Sequence, residues 1–303
     1  MDIHVLRYFL AVAREGNVTK AADFLHLTQP TLSRQMAQLE EEAGVQLFIK
    51  EPRHWGLTEQ GMLLRRRAQE LVELMDKTQQ ELLDKENAIK GKVSICCGEH
   101  EAVKILAKMF KAFNELYPEV TFEIYTATSE YAKERIGIGL ADFGIFSEPY
   151  ENVEQYDYLY LGETEEWVVL MRADDPYADK ESITPEDLVD KKLIFPWRSK
   201  VKSTLRNWLG TAFADKNIIM SSNFRTNAAF MVAEGLGYFL NMYVSSHGYL
   251  DDKLVSKPLN PPLKSKTSLV WLKHKPLTPT AVRFLEFARK YMEKEHATNM
   301  RVD

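Results

Sequence analysis

The sequence predicts an α/β protein with three parts: an N-terminal winged helix-turn-helix, a long linker helix and a two-lobed α/β domain. Two short segments with helical periodicity, joined by a tight turn, lie between residues 16 and 43. One long segment with helical periodicity runs from Thr58 to Ile89, and from residue 91 onward predicted strands alternate with predicted helices. Because 303 residues are too many for one ordinary core, two or three domains are expected.

The first elements are three short helices with apolar faces. A helix over residues 5–13 ends at Gly16, and a second helix carries residues spaced three or four apart, Val18, Ala21, Ala22 and Leu25. Leu27 and Thr28 form the turn. Thr28 is the expected N-cap of the third helix, where Pro30 fits the first turn because it has no N–H. The predicted buried stripe of this third helix is Leu32, Met36 and Leu39.

The opposite face of the third helix is polar. Its amide, hydroxyl and guanidinium groups match the donors and acceptors that base edges present in a DNA groove. The predicted DNA-contacting residues are therefore Thr28, Gln29, Pro30, Thr31, Ser33, Arg34, Gln35 and Gln38. The alternative is a packed helical pair without a binding role. The acidic run Glu40–Glu42, at the far end of the helix, is interpreted as a solvated face.

A wing is predicted after this helix. Gly44 ends the helix, Val45–Ile49 forms one strand, and the chain returns at Gly56–Leu57. The loop between the strands is the wing tip, where basic side chains can contact phosphates or the minor groove. Three of its residues have this chemistry, Lys50, Arg53 and His54, and Arg53 and His54 join the predicted DNA-binding set. The alternative is that they are ordinary exposed loop residues.

The charge of the N-terminal part does not favour strong non-specific DNA binding. The whole chain carries a formal net charge of −5, and residues 1–66 hold eight basic and eight acidic side chains. Because phosphate neutralisation supplies most non-specific affinity, one such module should bind stray DNA weakly. Useful affinity then depends on several modules acting together.

The long helix is predicted to be capped by Thr58 and to span 32 residues to Ile89, about 48 Å at 1.5 Å per residue. Its apolar or small residues alternate by four and three, apart from a gap at Lys85, which is the spacing of a coiled-coil seam: Leu64, Ala68, Leu71, Met75, Thr78, Leu82 and Ile89. The pattern therefore predicts pairing with a second copy of the chain. A helix lying on its own domain is the alternative.

From Gly91, which is expected to end the long helix, the pattern changes to strands and helices. The order strand, helix, strand, helix, strand predicts a parallel sheet with right-handed crossovers. These elements are Val93–Cys97, Ala102–Leu116, Val120–Tyr125, Tyr131–Leu140 and Asp142–Phe146. A second alternation implies a second lobe, with elements at Glu166–Met171, Leu193–Phe195, Ala228–Glu234, Leu269–Leu272 and Thr280–Glu293.

The N-terminal motifs carry a family resemblance. Ala21-Ala22, Leu27–Pro30, Leu32-Ser33, Leu39-Glu40 and Gly44–Phe48 fall at spacings that resemble those of LysR-type transcriptional regulators. The resemblance covers the whole chain in length and segment order, but its specific motifs lie in residues 1–66.

The resemblance implies a DNA-binding domain at 1–58 with its helix-turn-helix at 18–37, a linker and dimerisation helix at 59–90, and an effector-binding domain at 91–303 that is similar to periplasmic binding proteins. Crossings near Glu163 and Thr267 would divide the effector domain into lobe 1 (91–163 and 268–303) and lobe 2 (164–267). The resemblance also implies double-stranded promoter DNA as a partner and a homodimer that commonly joins into a homotetramer.

Candidate ligand-binding residues follow the strands, because ligands of α/β sheets gather beyond the carboxyl ends of strands and at helix N-termini. The predicted effector-binding residues are Gly98, Glu99, His100, Thr128, Ser129, Arg198, Ser199, Lys200, Asn223, Thr226 and Asn227. Arg198, Lys200 or Lys202 could pair with the carboxylate of a small metabolite. Glu99 and Glu101 would repel an anion, so an amine or a zwitterion stays open. Helix capping or surface exposure is the alternative for each side chain.

The sequence offers no catalytic constellation and no metal or cofactor motif, so no cofactor is expected beyond a small-molecule effector. The adjacent Cys96 and Cys97 are interpreted as buried strand residues on opposite faces, with a redox-sensing disulfide as the alternative. Cys97 and His100 are close in sequence, but a catalytic dyad needs a geometry that this spacing does not supply. The seven histidines show no metal-ligand spacing.

Two classes of function remain after these exclusions. The first is a transcription regulator that responds to a small ligand. The second is a solute-binding or enzymatic α/β protein whose N-terminal helices only dimerise, which would need a signal peptide or a catalytic group. No run of about 18 apolar residues is present and no signal peptide is recognised at Met1, so a cytoplasmic regulator is expected.

Overall fold

The computed structural model describes residues 1–51, 54–83, 89–149, 153–211, 213–244 and 252–299. The chain divides into two compact units, Met1–Lys85 and Glu86–Asp303. The elements of the first unit are α1 (Ile3–Glu15), α2 (Val18–Phe24), α3 (Gln29–Ala43), β1 (Phe48–Lys50), β2 (Trp55–Leu57) and α4 (Glu59–Leu83).

The three short helices form as predicted because their ends are fixed locally. Thr28 caps α3, its hydroxyl accepting from the Thr31 N–H, and Pro30 lies in the first turn. Gly16 and Gly44 end α1 and α3 at φ 57° and 68°, a conformation that favours glycine. The predicted stripe of α3 is confirmed: Leu32, Met36 and Leu39 are buried in one core with residues of α1, α2, β1 and α4.

The interpretation of Glu40–Glu42 as a solvated face is wrong for Glu40. Its carboxylate accepts the backbone N–H groups of Leu47 and Phe48 at 2.9 and 3.0 Å and pairs with Lys50 at 2.6 Å. Partial burial opposes ionisation, but these hydrogen bonds outweigh it and lower the pKa of Glu40. Glu40 therefore attaches the end of α3 to the wing.

The wing is shorter than predicted. Its first strand begins at Phe48 rather than at Val45, whose side chain is exposed, because Glu40 accepts the Leu47 and Phe48 N–H groups at the point where the strand begins. Phe48–Lys50 pairs antiparallel with Trp55–Leu57.

Only part of the predicted coiled-coil seam of the long helix is exposed. Leu64 and Ala68 pack into the core of the first unit, which corrects their assignment to a free seam, whereas Leu71, Met75, Thr78 and Leu82 are exposed. The helix α4 spans 25 residues and Thr58 caps it by accepting the Gly61 N–H, as predicted. Ile89 lies outside the helix and packs on a core of the second unit, and Gly91 begins a strand instead of ending the helix.

The second unit contains the remaining elements, and its predicted βαβαβ order is confirmed. They are β3 (Gly91–Cys97), α5 (Val103–Leu116), β4 (Val120–Thr126), α6 (Ser129–Ile138), β5 (Phe143–Ser147), β6 (Tyr156–Arg172), α7 (Pro185–Leu188), β7 (Leu193–Pro196), α8 (Ser199–Leu209), β8 (Ile218–Ser222), α9 (Arg225–Ala233), β9 (Tyr238–Met242), β10 (Leu254–Pro258), β11 (Lys264–Leu272) and α10 (Pro279–Asn299). The sequence pattern does not identify α7, α8, β8, β9 or β10.

The described strands of this unit form one nine-stranded sheet in the order β4-β3-β5-β11-β6-β9-β7-β8, with β10 also paired to β6. β3 pairs parallel with β4 and β5, and β7 pairs parallel with β8 and β9. The long strands β6 and β11 run antiparallel through both halves, with a register shift between Lys266 and Ser268.

We call the half of this unit built around β3, β4, β5, α5, α6 and α10 the first lobe, and the half built around β7–β10 and α7–α9 the second lobe. In the first lobe, α10 buries Ala281, Phe284, Ala288 and Met292 against a core shared with β3 and α5. In the second lobe, α8 buries Val201, Leu205 and Leu209. Two strands, β6 and β11, connect the lobes, so the site between them lies beside a double-stranded crossing.

Candidate nucleic-acid interface and effector cleft

The polar face of α3 is open to solvent. Six of the predicted DNA-contacting residues are exposed and two are half-buried: the exposed ones are Thr28, Gln29, Pro30, Thr31, Arg34 and Gln38, and the half-buried ones are Ser33 and Gln35. Among the described residues of the first unit, Arg34 makes no ion pair. A helix whose guanidinium, amide and hydroxyl groups face outward can offer them to base edges and phosphates.

Two contacts tie part of this face to the helix itself. The hydroxyls of Thr28 and Thr31 bond at 2.8 Å, and the Gln38 amide donates to Glu42 at 3.2 Å. These contacts hold Thr31 and Gln38 in defined positions but use some of their hydrogen-bonding capacity. Gln29 and Arg34 are the long polar side chains in the N-terminal half of α3 that are exposed.

The wing presents less free basic charge than the sequence suggested. Lys50 is paired with Glu40 and lies over the Trp55 ring at 5.1 Å. His54 is exposed in the turn between the strands, with its ring close to Gly16 at the end of α1. Arg53 lies outside the described residues. A phosphate contact by Lys50 would therefore compete with its pairing to Glu40.

A cavity of ≈140 Å³ lies between the two lobes of the second unit. Seven of the predicted effector-binding residues line it: Gly98, Glu99, His100, Thr128, Ser129, Arg198 and Asn223. Ser199 and Asn227 line an adjoining pocket instead. Neither pocket is lined by Lys200, or by Thr226, which contacts Glu99. The strand-end rule therefore places most, but not all, of these residues at one cleft.

The walls of the cleft also contain side chains that are not among the predicted effector-binding residues, although Phe224 and Arg225 lie within the segment 223–227 that the strand-end rule marks. Several are aromatic, and one is a second arginine: Phe146, Trp167, Trp197, Phe224, Arg225 and Phe239. Trp197 and Phe224 are the sequence neighbours of Arg198 and Asn223, so extending the predicted set by one residue would have included both. Trp167 and Phe239 lie inside strands and show no such signal. The cleft is thus a mainly apolar cavity whose walls combine aromatic and aliphatic side chains with neutral polar residues and a few charged groups.

A polar cluster lies where the lobes join. Glu165 of β6 is buried, accepts the Ala102 N–H at 3.1 Å and lies 3.4 Å from Nδ1 of His100. The Ser147 hydroxyl is 3.2 Å from the same Nδ1 and 2.7 Å from the Thr267 hydroxyl. Burial alone would raise the pKa of Glu165, but the hydrogen bonds from His100, Ala102 and Thr267 lower it.

This cluster does not have the geometry of a hydrolytic triad. A triad histidine bonds its nucleophile through one ring nitrogen and its acid through the other. Here Ser147 and Glu165 both approach Nδ1 of His100. The arrangement instead ties the loop after β3 and the end of β5 to the crossing strands.

The cysteines have the environment of core residues. Cys96 and Cys97 are buried, unbridged and packed in different cores, so they face opposite sides of β3 as predicted. Burial raises the pKa of each thiol to about 11, which leaves little thiolate at neutral pH. Within the described ranges, no group of three or more His, Cys, Asp or Glu side chains is placed to hold a metal ion. No described helix has the length and apolar character needed to span a bilayer.

The two units correspond to two known sequence families. Residues 3–62 match the family described as "Bacterial regulatory helix-turn-helix protein, lysR family". Residues 86–293 match the family described as "LysR substrate binding domain". The fold and the matches define a DNA-binding regulator with an effector-binding domain. The chain belongs to the LysR family of transcriptional regulators, which are not enzymes.

Full-length relatives support the same assignment. The chain is 28% identical to the uncharacterised transcriptional regulator YybE of Bacillus subtilis, over 95% of this chain and 98% of that protein. The crystal structure of HinK from Pseudomonas aeruginosa covers 96% of this chain and 98% of its own, with 26% identity and a TM-score of 0.56. The LysR-family regulator CbnR is similar in fold, with a TM-score of 0.75 at 21% identity, over 96% of this chain and 99% of that one.

Proposed function

We propose that a small molecule in the cleft between the lobes controls how this regulator binds promoter DNA. The observation that carries the proposal is the presence, in one chain, of an exposed polar face on α3 and of an apolar cavity with charged walls between two lobes. A ligand that favours one closure of the lobes shifts the population of states that present α3 to DNA.

The proposed DNA contacts are made by the exposed residues of α3 and its N-cap, with Gln29 and Arg34 reading base edges. Ser33 and Gln35, being half-buried, would contribute their outer polar atoms, and the wing, including Arg53 and His54, would contact the backbone. Support comes from the polar chemistry of this face and from CbnR, a protein of the same fold that has been solved in complex with its target DNA.

Dimerisation is part of the proposal because one neutral module has little electrostatic affinity for DNA. The distal half of α4 exposes an apolar stripe, with Leu71 48%, Met75 38% and Leu82 80% exposed. Pairing of two such helices would bury the stripe and place two copies of α3 on one duplex. We propose a homodimer formed through α4 that joins into a homotetramer and acts on promoter DNA in the cytoplasm.

The proposed effector is a small metabolite held by the residues that line the cleft. Ligand binding would alter the contacts between the lobes, which include Glu99 with Thr226 and Arg198 with Ser147. Because β6 and β11 cross together, the lobes can change their angle about this double strand while each keeps its own core.

The test begins with selection of bound DNA from a random library, followed by footprinting on the selected site. The full-length protein is footprinted with and without each compound of a metabolite panel. The proposal predicts that at least one compound changes the length or the pattern of protection. An unchanged footprint in the presence of a compound shown by calorimetry to bind would overturn the proposed coupling.

A further inference from the structure

Two charged side chains reach across the cleft in opposite directions. Glu99, in the first lobe, accepts the Thr226 N–H at 3.2 Å and the Thr226 hydroxyl, both from α9 of the second lobe. Arg198, in the second lobe, donates to the carbonyl oxygens of Ser147 at 3.5 Å and Pro149 at 3.0 Å in the first lobe. Each of these hydrogen-bond partners is electrically neutral.

Neutral partners leave the charges themselves uncompensated. Within the described part of the chain, the contacts of Glu99 are hydrogen bonds to Thr226 and include no ion pair. Among the residues that the structure describes, the ion-pair partner of Arg198 is Glu130 at 4.0 Å, whose side chain is 55% exposed, so this pair is weak and screened. Glu99 and Arg198 are therefore a negative and a positive group from opposite lobes of the cleft, each able to interact with a ligand charge.

Three other charged residues line the cleft, His100, Glu130 and Arg225. His100 is engaged with the buried Glu165, Glu130 is 55% exposed beside Arg198, and Arg225 donates to the Val244 carbonyl of its own lobe. The remaining walls are mixed: aromatic and aliphatic side chains lie beside serine, threonine and asparagine. The cavity volume of ≈140 Å³ is close to the roughly 150 Å³ of an apolar protein cavity that holds benzene. A small ligand with an apolar body fits this space.

We propose that the cleft selects a zwitterion, an α-amino acid with an apolar side chain, whose ammonium faces Glu99 and whose carboxylate faces Arg198. A simple carboxylate would meet the repulsion of Glu99, and a simple amine that of Arg198. By competing for these two side chains, the ligand replaces contacts that now join the lobes. The inference rests on the proposed function, because it takes the cleft to be the effector site.

The first experiment screens the standard amino acids for a rise in Tm of the full-length protein. Each is used at about 5 mM, because a ligand stabilises the folded state measurably when its concentration exceeds its Kd. The best compound is then compared by calorimetry with two analogues that keep its side chain, one lacking the amino group and one lacking the carboxylate. The amino acid is expected to bind at least tenfold more tightly than either analogue. Absence of binding by every amino acid, or equal binding by the deaminated acid, would overturn the proposal.

A charge-neutral variant assigns the recognition to Glu99. Glu99→Gln should weaken binding of the amino acid about fivefold to tenfold, a modest factor because Glu99 is solvent-exposed. Binding of the deaminated analogue should stay the same or become stronger, since the repulsion is removed. Glu101→Gln is the matched control, since Glu101 lies in the same loop, pairs with Lys104 and does not line the cleft. Equal loss in both variants would refute the role of Glu99.

The outcomes separate this inference from the proposed function. If a deaminated acid binds at least as tightly as the amino acid and changes the footprint, the regulatory function stands and the zwitterion is wrong. If an amino acid binds as described and the footprint is unchanged, the ligand class stands and the coupling to DNA is wrong.

Discussion

Replacing Glu40 with alanine tests whether one carboxylate attaches the wing to α3. The side chain is 12% exposed and receives three hydrogen bonds, from the Leu47 and Phe48 N–H groups and from Lys50. Hydrogen bonds to a charged group contribute about 1.5–3 kcal/mol each. Since Lys50 is 43% exposed and its pair is screened, we assign most of the effect to the two N–H groups.

The expected loss is about 2 kcal/mol of local stability, less than the roughly 3 kcal/mol minimum for two such bonds, because water can hydrogen-bond to the two N–H groups in the variant. A loss of this size corresponds to roughly a thirtyfold change in an opening equilibrium, since 1.4 kcal/mol is a factor of ten. Amide hydrogen exchange of Leu47 and Phe48, measured on the full-length protein, reports this opening directly. Both amides should therefore exchange roughly thirtyfold faster in Glu40→Ala.

Glu41→Ala is the control, because Glu41 is the next residue and is exposed. A surface substitution of this kind changes stability by no more than about 0.5 kcal/mol. The reasoning is refuted if the Leu47 and Phe48 amides exchange at the wild-type rate in Glu40→Ala, or if Glu41→Ala accelerates them equally.

Three further predictions concern the DNA-binding face, the lobe junction and the cysteines. Ser33→Ala combined with Arg34→Ala should weaken DNA binding by about 1–3 kcal/mol for each base that these side chains read, with an unchanged far-UV circular dichroism spectrum; unaltered promoter affinity in a gel-shift titration would remove both from the interface. The folded-state pKa of Glu165 is lowered, so the stability that the Glu165 carboxylate contributes is present above its unfolded pKa and is lost as pH falls through the folded pKa. Glu165→Gln should therefore flatten the dependence of Tm on pH in the acidic range, and a variant curve parallel to that of the wild type would contradict this prediction. Cys96 and Cys97 should react with a thiol reagent only after unfolding, because both are buried; rapid labelling of the native protein would show that their strand opens.

The parts of the fold that the sequence predicted well are those fixed by local chemistry. Thr28 caps α3 through a bond to a residue three positions away, and Pro30 occupies the first turn, so both could be read from the pattern. The stripe of Leu32, Met36 and Leu39 follows from helical periodicity alone.

The role of Glu40 could not be predicted in this way. Its N–H partners are seven and eight residues further along, in the wing, and the acidic run around it has the pattern of a solvated face. Only the position of the wing beside the end of α3 shows that one of the three carboxylates is turned inward.

The candidate cleft shows the same division. Strand-end residues such as Gly98, Thr128 and Arg198 follow from the strand-end rule and line the cavity. The junction of Ser147 with Thr267 joins residues 120 positions apart, which requires the topology of the sheet. The helix α8 is absent from the sequence prediction although Val201, Leu205 and Leu209 have helical spacing, because the polar residues at its start have the pattern of a ligand loop.

The central claim is that ligand binding in the cleft is coupled to DNA binding by α3. It is tested most directly by measuring the distance between the two ends of a bound promoter fragment. Energy transfer between dyes at the two ends is measured with the full-length protein, with and without the amino acid that binds best. The account predicts that the transfer efficiency changes when the amino acid binds, and that Glu99→Gln requires a higher concentration for the same change. A constant efficiency at a ligand concentration that saturates the cleft would contradict the account.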